Sequence, residues 1–201
     1  YIDTEGSLLV ERLEEMAVAM VQHLESVCAM SATSSPHLQL LKDAVSVERI
    51  LEGIHVFRVH SCSEQLAVVN CLQEFLEEHP NLKLVVFDSV TFHFRHDFKD
   101  LALRSRLLHG MAQTLAAVAS AKDVAVVLVN QVTTRVDSSA SFLVPALGES
   151  WAHATTHRVI LFLRGQCRYA SMYKSSSLPP RTEAYDITGE GIRSAGSQAA
   201  S

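Results

Sequence analysis

Two apolar segments, each followed by polar residues, constrain the fold of this chain more than any other feature. Leu82–Phe87 is apolar apart from one lysine and leads to Asp88, while Val124–Val129 is wholly apolar and leads towards Gln131. Continuous runs of this kind are typical of strands that are buried on both faces of a parallel sheet. The apolar spacing over Arg104–Val118 predicts a helix between them, as a parallel crossover requires. The two segments therefore predict an α/β fold.

The composition agrees with elements that are covered on both faces. Hydrophobic residues make up 48% of the 201-residue chain. Charged residues make up 19%, which is below the roughly 25% that is usual in globular proteins. At roughly 150 residues per domain this length predicts one domain. We place that domain at residues 1–193 and predict a small, polar, disordered tail at residues 194–201.

Charge and cysteine usage argue against several classes of function. The formal net charge is −5, so binding to nucleic acid would need a local basic patch. Apolar runs fall short of the roughly 20 residues of a membrane span, and we expect no membrane partner. The four cysteines form no C-x-x-C pair, which argues against a zinc knuckle or a disulfide framework and favours a reducing, intracellular compartment.

Apolar spacing also predicts the remaining elements of the fold. Helices are expected from Leu9 to about Ser31, more weakly over Leu38–Leu51, and over Glu64–Glu78. Strands are expected at Tyr1–Asp3, Ile54–Val59, His157–Leu163, Cys167–Tyr173 and Thr182–Ile187. Short links between the last three strands predict antiparallel pairing at the C-terminal edge of a largely parallel sheet flanked by helices.

Polar residues follow three of the predicted strands and mark the candidate site. Glu5 follows the first strand, Asp88 and Ser89 follow the apolar segment that ends at Phe87, and Gln131 lies just after the apolar segment that ends at Val129. Ligands of open α/β sheets bind beyond the carboxyl ends of the strands. An acid there suits Mg²⁺, a second carboxylate can orient a water, and a neutral amide can sense phosphate. A single acid at a strand end is more often a turn or cap residue, but polar ends on three successive strands are harder to explain by turns alone and make a functional site at this edge a hypothesis.

Four segments in order carry a family resemblance that spans nearly the whole chain. They are Tyr1–Ser7 (YIDTEGS), Leu84–Ser89 (LVVFDS), Val124–Val132 (VAVVLVNQV) and Ala152–Arg158 (AHATTHR). Together they resemble the ATPase core of the eukaryotic RecA-type recombinases. Segments 94–97, 101–106 and 143–151 are more similar to the C-type paralogue branch of that family than to the filament-forming recombinase. The resemblance implies a RecA-like ATPase core.

The resemblance also implies roles for individual residues and the cofactors ATP and Mg²⁺. Glu5 matches the glutamate that activates the hydrolytic water, and Gln131 matches the γ-phosphate sensor. Asp88 matches the Walker B acid that holds magnesium, directly or through water, with Ser89 beside it in the nucleotide site. His153 matches a histidine that approaches the nucleotide of a neighbouring subunit. Without its motif, His153 would be read as an ordinary surface or core histidine.

Two loops match the DNA-binding loops of the family. The first lies between Thr91 and Arg104 and contains Arg95, and the second runs from Val132 to about Gly148 and contains Arg135. By this match, all three arginines are candidate DNA-binding residues. Both loops are shorter than in the filament former, which lowers the number of cations available to phosphates. The alternative for each arginine is a solvated loop charge.

Partners and location follow from the same resemblance. Lys174 stands where the filament former has an acid that caps a neighbour's ATP. This difference favours assembly with other recombinase paralogues in hetero-oligomeric complexes. The implied function is ATP-dependent DNA binding in homologous recombination and double-strand-break repair. Single-stranded or branched DNA is the expected nucleic acid, and the nucleus is the expected location, with the cytoplasm as a further one.

A phosphate-binding loop is missing from the sequence. That loop needs G-x-x-x-x-G-K-[ST], and none of the eight glycines is followed by lysine. In the family the loop precedes the segment that matches Tyr1–Ser7, so we expect an amino-terminally shortened chain without the P-loop strand. We expect weak ATP binding and incomplete folding cooperativity, because neighbouring strands lose ladder partners. Whether these 201 residues are themselves an enzyme is left open.

Two alternatives remain on the sequence alone. One is a non-catalytic module that contributes subunit contacts in a recombinase paralogue complex. The other is a serine hydrolase, since the residues around Ser150 distantly resemble a G-x-S-x-G elbow, but no buried strand precedes that serine. His93, His96 and His109 lack metal-ligand spacing and are predicted to be polar surface residues.

Overall fold

The structure is a computed structural model that describes residues 1–30, 40, 44–96, 98–137, 140–147, 151 and 153–195. The side chains of His96 and of residues 134–143 lie outside that description. Two compact units are present: the first unit is residues 1–8 and 55–155, and the second unit is residues 9–54 and 156–201. Ser194 is the last residue of a strand, and residues 196–201 lie outside the described residues, so the disordered tail stays a prediction.

The helices and strands are given in chain order. They are β1 (Ile2–Asp3), α1 (Val10–Met30), α2 (Val47–Glu52), β2 (Phe57–Arg58), α3 (Cys62–Glu78), β3 (Leu84–Asp88), α4 (Phe92–His96), α5 (Leu101–Lys122), β4 (Ala125–Leu128), β5 (Val132–Asp137), β6 (Ala140–Pro145), β7 (Arg158–Arg164), β8 (Cys167–Lys174), β9 (Thr182–Thr188) and β10 (Gly191–Ser194).

A parallel sheet organises the first unit. Its strand order is β2-β1-β3-β4, and every neighbouring pair is parallel. The register places Asp3 beside Asp88 and Phe87 beside Leu128. Because the strands are parallel and in this register, the polar residues that follow β1, β3 and β4 reach the same edge of the sheet. The predicted α/β class, with a parallel sheet flanked by helices, is confirmed.

Helices α3 and α5 bury one apolar stripe each in the first unit. Val69, Leu72 and Leu76 are buried on α3, at the spacing of three and four that one helix face requires. Leu108 and Leu115 are among the buried residues of α5. Each fully buried side chain of this size contributes about 1.5–3 kcal/mol through removal of apolar surface from water. The core beneath the sheet therefore holds the strand ends in place.

Capping residues explain why two helices begin before the predicted positions. Ser61 caps α3, since its hydroxyl accepts from the backbone N–H of Glu64 at 3.2 Å. Asp100 caps α5 by accepting from the N–H groups of Ala102 at 2.8 Å and Leu103 at 3.0 Å. Each cap satisfies donors that the first turn leaves without intrahelical partners. The apolar spacing alone located the helices but missed their first turns.

An antiparallel sheet with strand order β10-β9-β8-β7 lies in the second unit. Strands β7 and β8 are joined by a tight turn in which Gly165 has φ 61°, a conformation that favours glycine. Helix α1 contacts the turn after β9, where the Arg12 guanidinium donates to the carbonyls of Thr188 and Gly189. The three predicted antiparallel strands are confirmed within a residue or two, and β10 is an addition to them.

Several local predictions differ from the structure. Phe57–Arg58 is the paired part of the strand predicted over Ile54–Val59. Of the weak helix predicted over Leu38–Leu51, part lies outside the described residues, and the described helix is Val47–Glu52. The strands predicted at one edge of the parallel sheet instead form a separate sheet, whose outer strands are β7 and β10, while the outer strands of the parallel sheet are β2 and β4. No described helix is long and apolar enough to cross a bilayer.

Candidate functional site

The turn after β1 presents Glu5 at the carboxyl edge of the parallel sheet. Asp3 is buried, and its Oδ1 accepts from the backbone N–H groups of Gly6 at 2.7 Å and Glu5 at 3.2 Å. The Arg58 guanidinium lies 3.3 Å from the same oxygen. Gly6 has φ 73°, and a Cβ there would lie 2.6 Å from Arg58 Nη2. Asp3 therefore has a structural role in shaping the turn that carries Glu5.

A pair of buried hydrogen bonds joins this turn to the end of β3. The Thr4 hydroxyl donates to the Ser89 carbonyl at 2.9 Å and accepts from the Ser89 N–H at 2.8 Å. The Thr4 N–H donates to the Asp88 carbonyl at 2.8 Å. The peptide bond between Asp88 and Ser89 is cis. Through these contacts the two strand ends hold each other in register.

Three predicted site residues meet at one carboxylate oxygen. The Ser89 hydroxyl donates to Glu5 Oε1 at 2.5 Å, and Gln131 Nε2 donates to the same oxygen at 2.9 Å. Glu5 and Gln131 are 126 positions apart in sequence, so only the sheet order brings them together. We call Glu5, Ser89, Gln131 and Asp88 the strand-end cluster. The structure brings these residues to one edge, while their chemical roles stay predictions.

Asp88 is paired with Asp3 in the register of β1 and β3, and its side chain contacts Tyr1. The Tyr1 phenol donates to Asp88 Oδ2 at 2.5 Å. Burial, followed by this hydrogen bond and the negative charge of Asp88, raises the pKa of the Tyr1 phenol. The phenol therefore stays protonated and keeps donating to Asp88 over the physiological pH range. This contact was not predicted, and a tyrosine at the start of a strand gave no signal for it.

The oxygen donors of the cluster fit a nucleotide-bound magnesium ion. Mg²⁺ prefers oxygen ligands and usually takes one or two carboxylates together with substrate phosphates and water. Asp88 and Glu5 supply carboxylates, and Ser89 supplies a hydroxyl. Among the described residues, no group of three or more His, Cys, Asp or Glu side chains makes a metal site of its own. The cluster therefore suits an ion that arrives with phosphate ligands.

Arg95 extends the cluster away from the sheet. This residue is exposed on α4, and its Nη1 donates to Gln131 Oε1 at 2.6 Å. The Thr91 hydroxyl donates to the Ser89 hydroxyl at 3.3 Å and accepts from the Gln131 N–H at 3.4 Å. The prediction missed Thr91, although its position two residues after Ser89 is a usable signal. Arg95, a predicted DNA-binding residue, thus contacts Gln131, the predicted phosphate sensor.

The first predicted DNA loop is largely helical. Between Thr91 and Arg104 the structure places α4 and the start of α5, and Arg104 lies in the first turn of α5. The segment is thus more regular than a loop, because Asp100 caps a helix that begins three residues before Arg104, and the DNA-binding role of the segment stays a prediction. Arg104 is half-buried, and its Nε has no hydrogen-bond partner among the described atoms.

The other predicted site residues are not joined to the cluster by any described contact. Arg135 pairs through β5 with Phe142 in β6, so part of the second predicted DNA loop is a hairpin, and the Arg135 side chain lies outside the described residues. His153 is exposed. Their predicted roles are neither supported nor opposed by these positions.

One of the three histidines predicted to be polar surface residues is buried. His93 is 7% exposed, and its Nε2 lies 3.3 Å from the Val59 carbonyl. The surface prediction was wrong for His93, because α4 turns that side chain towards the core. His109 is exposed and contacts Gln113 at 3.1 Å. The His96 side chain lies outside the described residues.

Fold and cluster together define a class of protein. An open parallel sheet that carries two acids, a hydroxyl and an amide at the carboxyl ends of adjacent strands is typical of α/β proteins that bind a phosphorylated ligand at that edge. Each polar group lies where its strand ends; Ser89 and Glu5 are joined across the neighbouring strands β3 and β1, and Gln131, which follows β4, reaches the same Glu5 oxygen.

Comparison with known proteins places the chain within a family. Residues 42–195 match the Rad51 family model. The chain is 42% identical over 201 residues, its full length, to the DNA repair protein RAD51 homolog 3 of Cricetulus griseus. It is 41% identical over 199 residues, 98% of the chain, to the DNA repair protein RAD51 homolog 3 of Dictyostelium discoideum. The chain belongs to the Rad51 family.

The comparison confirms the family resemblance and the RecA-like fold class. Both relatives are of the C-type paralogue branch to which the sequence was assigned. The chain covers 54% of the first relative and 51% of the second, so it spans about half the length of the curated relatives it matches. What the whole protein binds and does is therefore taken up below as a proposal.

Proposed function

We propose that the protein containing this chain is an ATP-dependent DNA-binding factor of homologous recombination and double-strand-break repair, of the recombinase paralogue type. Family membership and the repair function named for both relatives support this proposal. The observation that carries it is the shared carboxylate oxygen of Glu5, which accepts from Ser89 and Gln131 at the edge of the parallel sheet.

Glu5 is the proposed activator of the hydrolytic water. Its side chain is exposed, and both described hydrogen bonds end on Oε1. In the described part of the chain, Oε2 is therefore the oxygen that remains for a water. Ser89 and Gln131 orient the carboxylate, and a positioned carboxylate can accept a proton from the attacking water. Gln131 is the proposed γ-phosphate sensor because its amide is uncharged and already lies beside Glu5.

Asp88 is the proposed magnesium-binding residue, directly or through water. The Tyr1 phenol binds Oδ2 and fixes the orientation of the carboxylate. When bound with ATP, Mg²⁺ offsets the negative charge on the phosphate oxygens. Ser89 is the proposed second nucleotide-site residue, and its hydroxyl donates to Glu5 Oε1 at 2.5 Å.

Nucleic acid and partner subunits are proposed from the family. Arg95, Arg104 and Arg135 are the candidate DNA-binding residues, with single-stranded or branched DNA as the ligand. His153 is the candidate contact to the nucleotide of a neighbouring subunit. Other recombinase paralogues are the proposed partners, and the nucleus is the proposed location, with the cytoplasm as a further one.

A second candidate function is a non-catalytic module that supplies subunit contacts. The observation that favours it is the absence of G-x-x-x-x-G-K-[ST] from the 201 residues. Without that loop, the backbone N–H groups and the lysine that hold the phosphates are missing from this sequence. By itself the chain is therefore expected to bind ATP weakly, whichever function the longer protein has.

The test is ATP hydrolysis by a form of the protein that includes a P-loop ahead of Tyr1. Glu5→Gln keeps an oxygen acceptor for Ser89 but removes the base, so kcat should fall by about 10²–10⁴ while ATP affinity is retained. Glu78→Gln is the matched control, because this exposed glutamate lies at the end of α3 that precedes β3, on the opposite edge of the sheet.

Two results would favour the second candidate instead. One is an equal, small effect of both substitutions on kcat. The other is no measurable ATP binding by the longer protein when it and the 201-residue chain are titrated side by side. Micromolar ATP affinity of the 201 residues alone would contradict the assignment of phosphate binding to a separate P-loop.

A further inference from the structure

One face of the antiparallel sheet in the second unit is apolar and exposed. The register places Val159, Leu161 and Leu163 of β7 on the same face as Ile187 of β9 and Ile192 of β10. Each of these five side chains is between 51% and 68% exposed. We call them the apolar face. An exposed apolar surface that spans neighbouring strands is uncommon on a monomer and marks an interaction site.

Helix α1 covers the opposite face of this sheet. Gly191 is buried and Ile192 is exposed, since successive residues of a strand point to opposite faces. A Cβ on Gly191 would lie 3.5 Å from Met16 Sδ on α1. The apolar face is therefore the side of the sheet away from α1, and Ala170 and Met172 of β8 make it continuous between β7 and β9.

The outer edge of β7 is poorly suited to pairing with a second copy of the chain. Antiparallel pairing of β7 with itself, in the register that uses all seven residues, would place Arg158 opposite Arg164 of the other copy. Like charges directly opposite each other destabilise a strand pair, and charged residues commonly protect outer strands from edge pairing. A second copy would therefore pack on the apolar face and not add to the edge.

Two charged residues on the same side of the sheet complement each other. Arg168 of β8 is paired with Leu163, and Glu183 of β9 is paired with Ala170, so both lie on the side of the apolar face, and both are exposed. Arg181 binds Glu183 Oε1, and no described contact involves Oε2. In a two-fold dimer Arg168 of each copy can contact Glu183 of the other, because an isologous interface makes every contact twice.

The size of the face sets the strength expected of such a dimer. Strands about 4.8 Å apart, each rising about 3.3 Å per residue, give this four-stranded sheet a face of roughly 15 Å by 25 Å. Packing two such faces removes on the order of 1,000 Å² of surface from water, which is at the low end for specific interfaces. We expect a dimer of micromolar affinity that separates into monomers when the chain is dilute.

We propose that the apolar face is a two-fold interface between two copies of this chain. The two sheets pack face to face, as in a β-sandwich, and bury the five apolar side chains against each other. Contacts between Arg168 and Glu183 of opposite copies select this arrangement over other apolar contacts. The proposal depends on neither ATP nor DNA binding.

Sedimentation velocity of the 201-residue chain over about 1–100 μM tests the proposal. The wild type should pass from monomer to dimer. Leu161→Glu buries an unpaired charge in the interface and should weaken dimerisation by at least about tenfold. Met20→Glu is the matched control, because Met20 is similarly exposed but lies on α1, on the other side of the sheet, and it should leave dimerisation unchanged. Circular dichroism shows whether each variant is folded.

A charge exchange separates this interface from non-specific association. Arg168→Glu and Glu183→Arg should each weaken the dimer by about tenfold, because each brings like charges together across the interface. An equimolar mixture of the two variants should restore dimerisation, since every contact between Arg168 and Glu183 positions then joins opposite charges. A mixture that associates no better than its separate components overturns the proposal.

Three further results would overturn it. The first is a chain that stays monomeric up to about 100 μM, and the second is association that is open-ended or unchanged by Leu161→Glu. The third concerns the P-loop-containing protein, in which hydroxyl-radical footprinting measures the protection of Leu161 and Leu163. Protection in a monomer would show that a segment ahead of Tyr1 covers the face, and protection only after another recombinase paralogue is added would assign the face to that partner.

Discussion

The two compact units of the chain differ in what supports their secondary structure. Nearly all the buried hydrophobic side chains among the described residues belong to the first unit, where helices pack on a parallel sheet. In the second unit the described buried hydrophobic residue is Ala17, while Val159, Leu161 and Leu163 are exposed along β7. Antiparallel hairpins form by hydrogen bonding between neighbours in sequence, whereas parallel strands need crossovers that cover them.

This contrast explains why the strand-end cluster lies in the first unit. Glu5 lies 84 positions from Ser89 and 126 from Gln131, and a shared hydrogen-bond geometry between such distant residues requires a rigid scaffold. Phe87 is fully buried directly before Asp88, which fixes the strand from which the cluster projects. A locally formed hairpin sheet with an exposed apolar face offers no comparable support.

The largest expected difference between the units comes from matched leucine truncations. Leu115 on α5 is 2% exposed in the first unit, and Leu161 on β7 is 60% exposed in the second. Leu115→Ala should lower the free energy of unfolding by about 2–5 kcal/mol because it leaves a cavity. Leu161→Ala should change it by no more than about 0.5 kcal/mol. Urea titration followed by circular dichroism and by the fluorescence of Trp151, which is buried in the core of the first unit, measures both.

If Leu161→Ala lowered the free energy of unfolding as much as Leu115→Ala does, the contrast between the two units would be wrong. Such a result would show that the exposed face of β7 is covered in the folded protein and that its packing contributes as much as the core of the first unit.

A smaller difference is expected for two threonine-to-valine substitutions. Thr4 is 1% exposed, and its hydroxyl is bonded to both the N–H and the carbonyl of Ser89. Thr4→Val should lower the free energy of unfolding by about 1–3 kcal/mol, because two buried backbone groups lose their partner. Thr182 in the second unit donates to Ser171 at 2.9 Å but is exposed, so Thr182→Val should have an effect within about 0.5 kcal/mol.

Thermal unfolding of both threonine variants, at matched pH and concentration, provides the measurement. Equal changes would mean that the buried link between β1 and β3 is no more important to stability than a solvated one. Burial of the hydrogen bond at a strand end would then make no difference to stability between the two units.

The smallest expected effect concerns a surface ion pair in the first unit. Lys122 Nζ lies 2.7 Å from Glu77 Oε1, and this hydrogen bond, with a further one from Gln73, lowers the pKa of Glu77 below its usual 4.5. A lowered pKa in the folded state stabilises the fold above pH 4.5, and this contribution is lost as the pH falls through the lowered value. Lys122→Met should therefore reduce Tm slightly at neutral pH and not at strongly acidic pH.

Lys99→Met is the control for the loss of a positive charge, since Lys99 is exposed and has no ion pair among the described contacts. Its Tm difference from the wild type should not follow the titration of Glu77. If the Lys122→Met difference persists unchanged into strongly acidic solution, lost packing of the lysine stem is the cause and the ion pair is not.

The local pattern of apolar and polar residues predicted most helices and strands, and it predicted the polar residues at the carboxyl edge of the parallel sheet. It missed the elements that depend on packing. The apolar runs before Asp88 and Gln131 predicted β3 and β4, because buried parallel strands have a distinctive composition. Helix α4 was missed since five residues are too few for a helical period. The hairpin of β5 and β6 was missed because its strands lack the apolar alternation of a half-buried pair.

The sequence by itself determined that polar groups suited to phosphate and magnesium follow the parallel strands, since composition and strand direction are local properties. Only the tertiary structure decided that Ser89 and Gln131 share one oxygen of Glu5 and that Arg95 binds the far end of the Gln131 amide. These contacts depend on strand order, on register and on the direction in which α4 leaves the sheet. None of the three is encoded in the spacing of residues along the chain, because hydrogen bonds over such separations form only after the core has placed both partners.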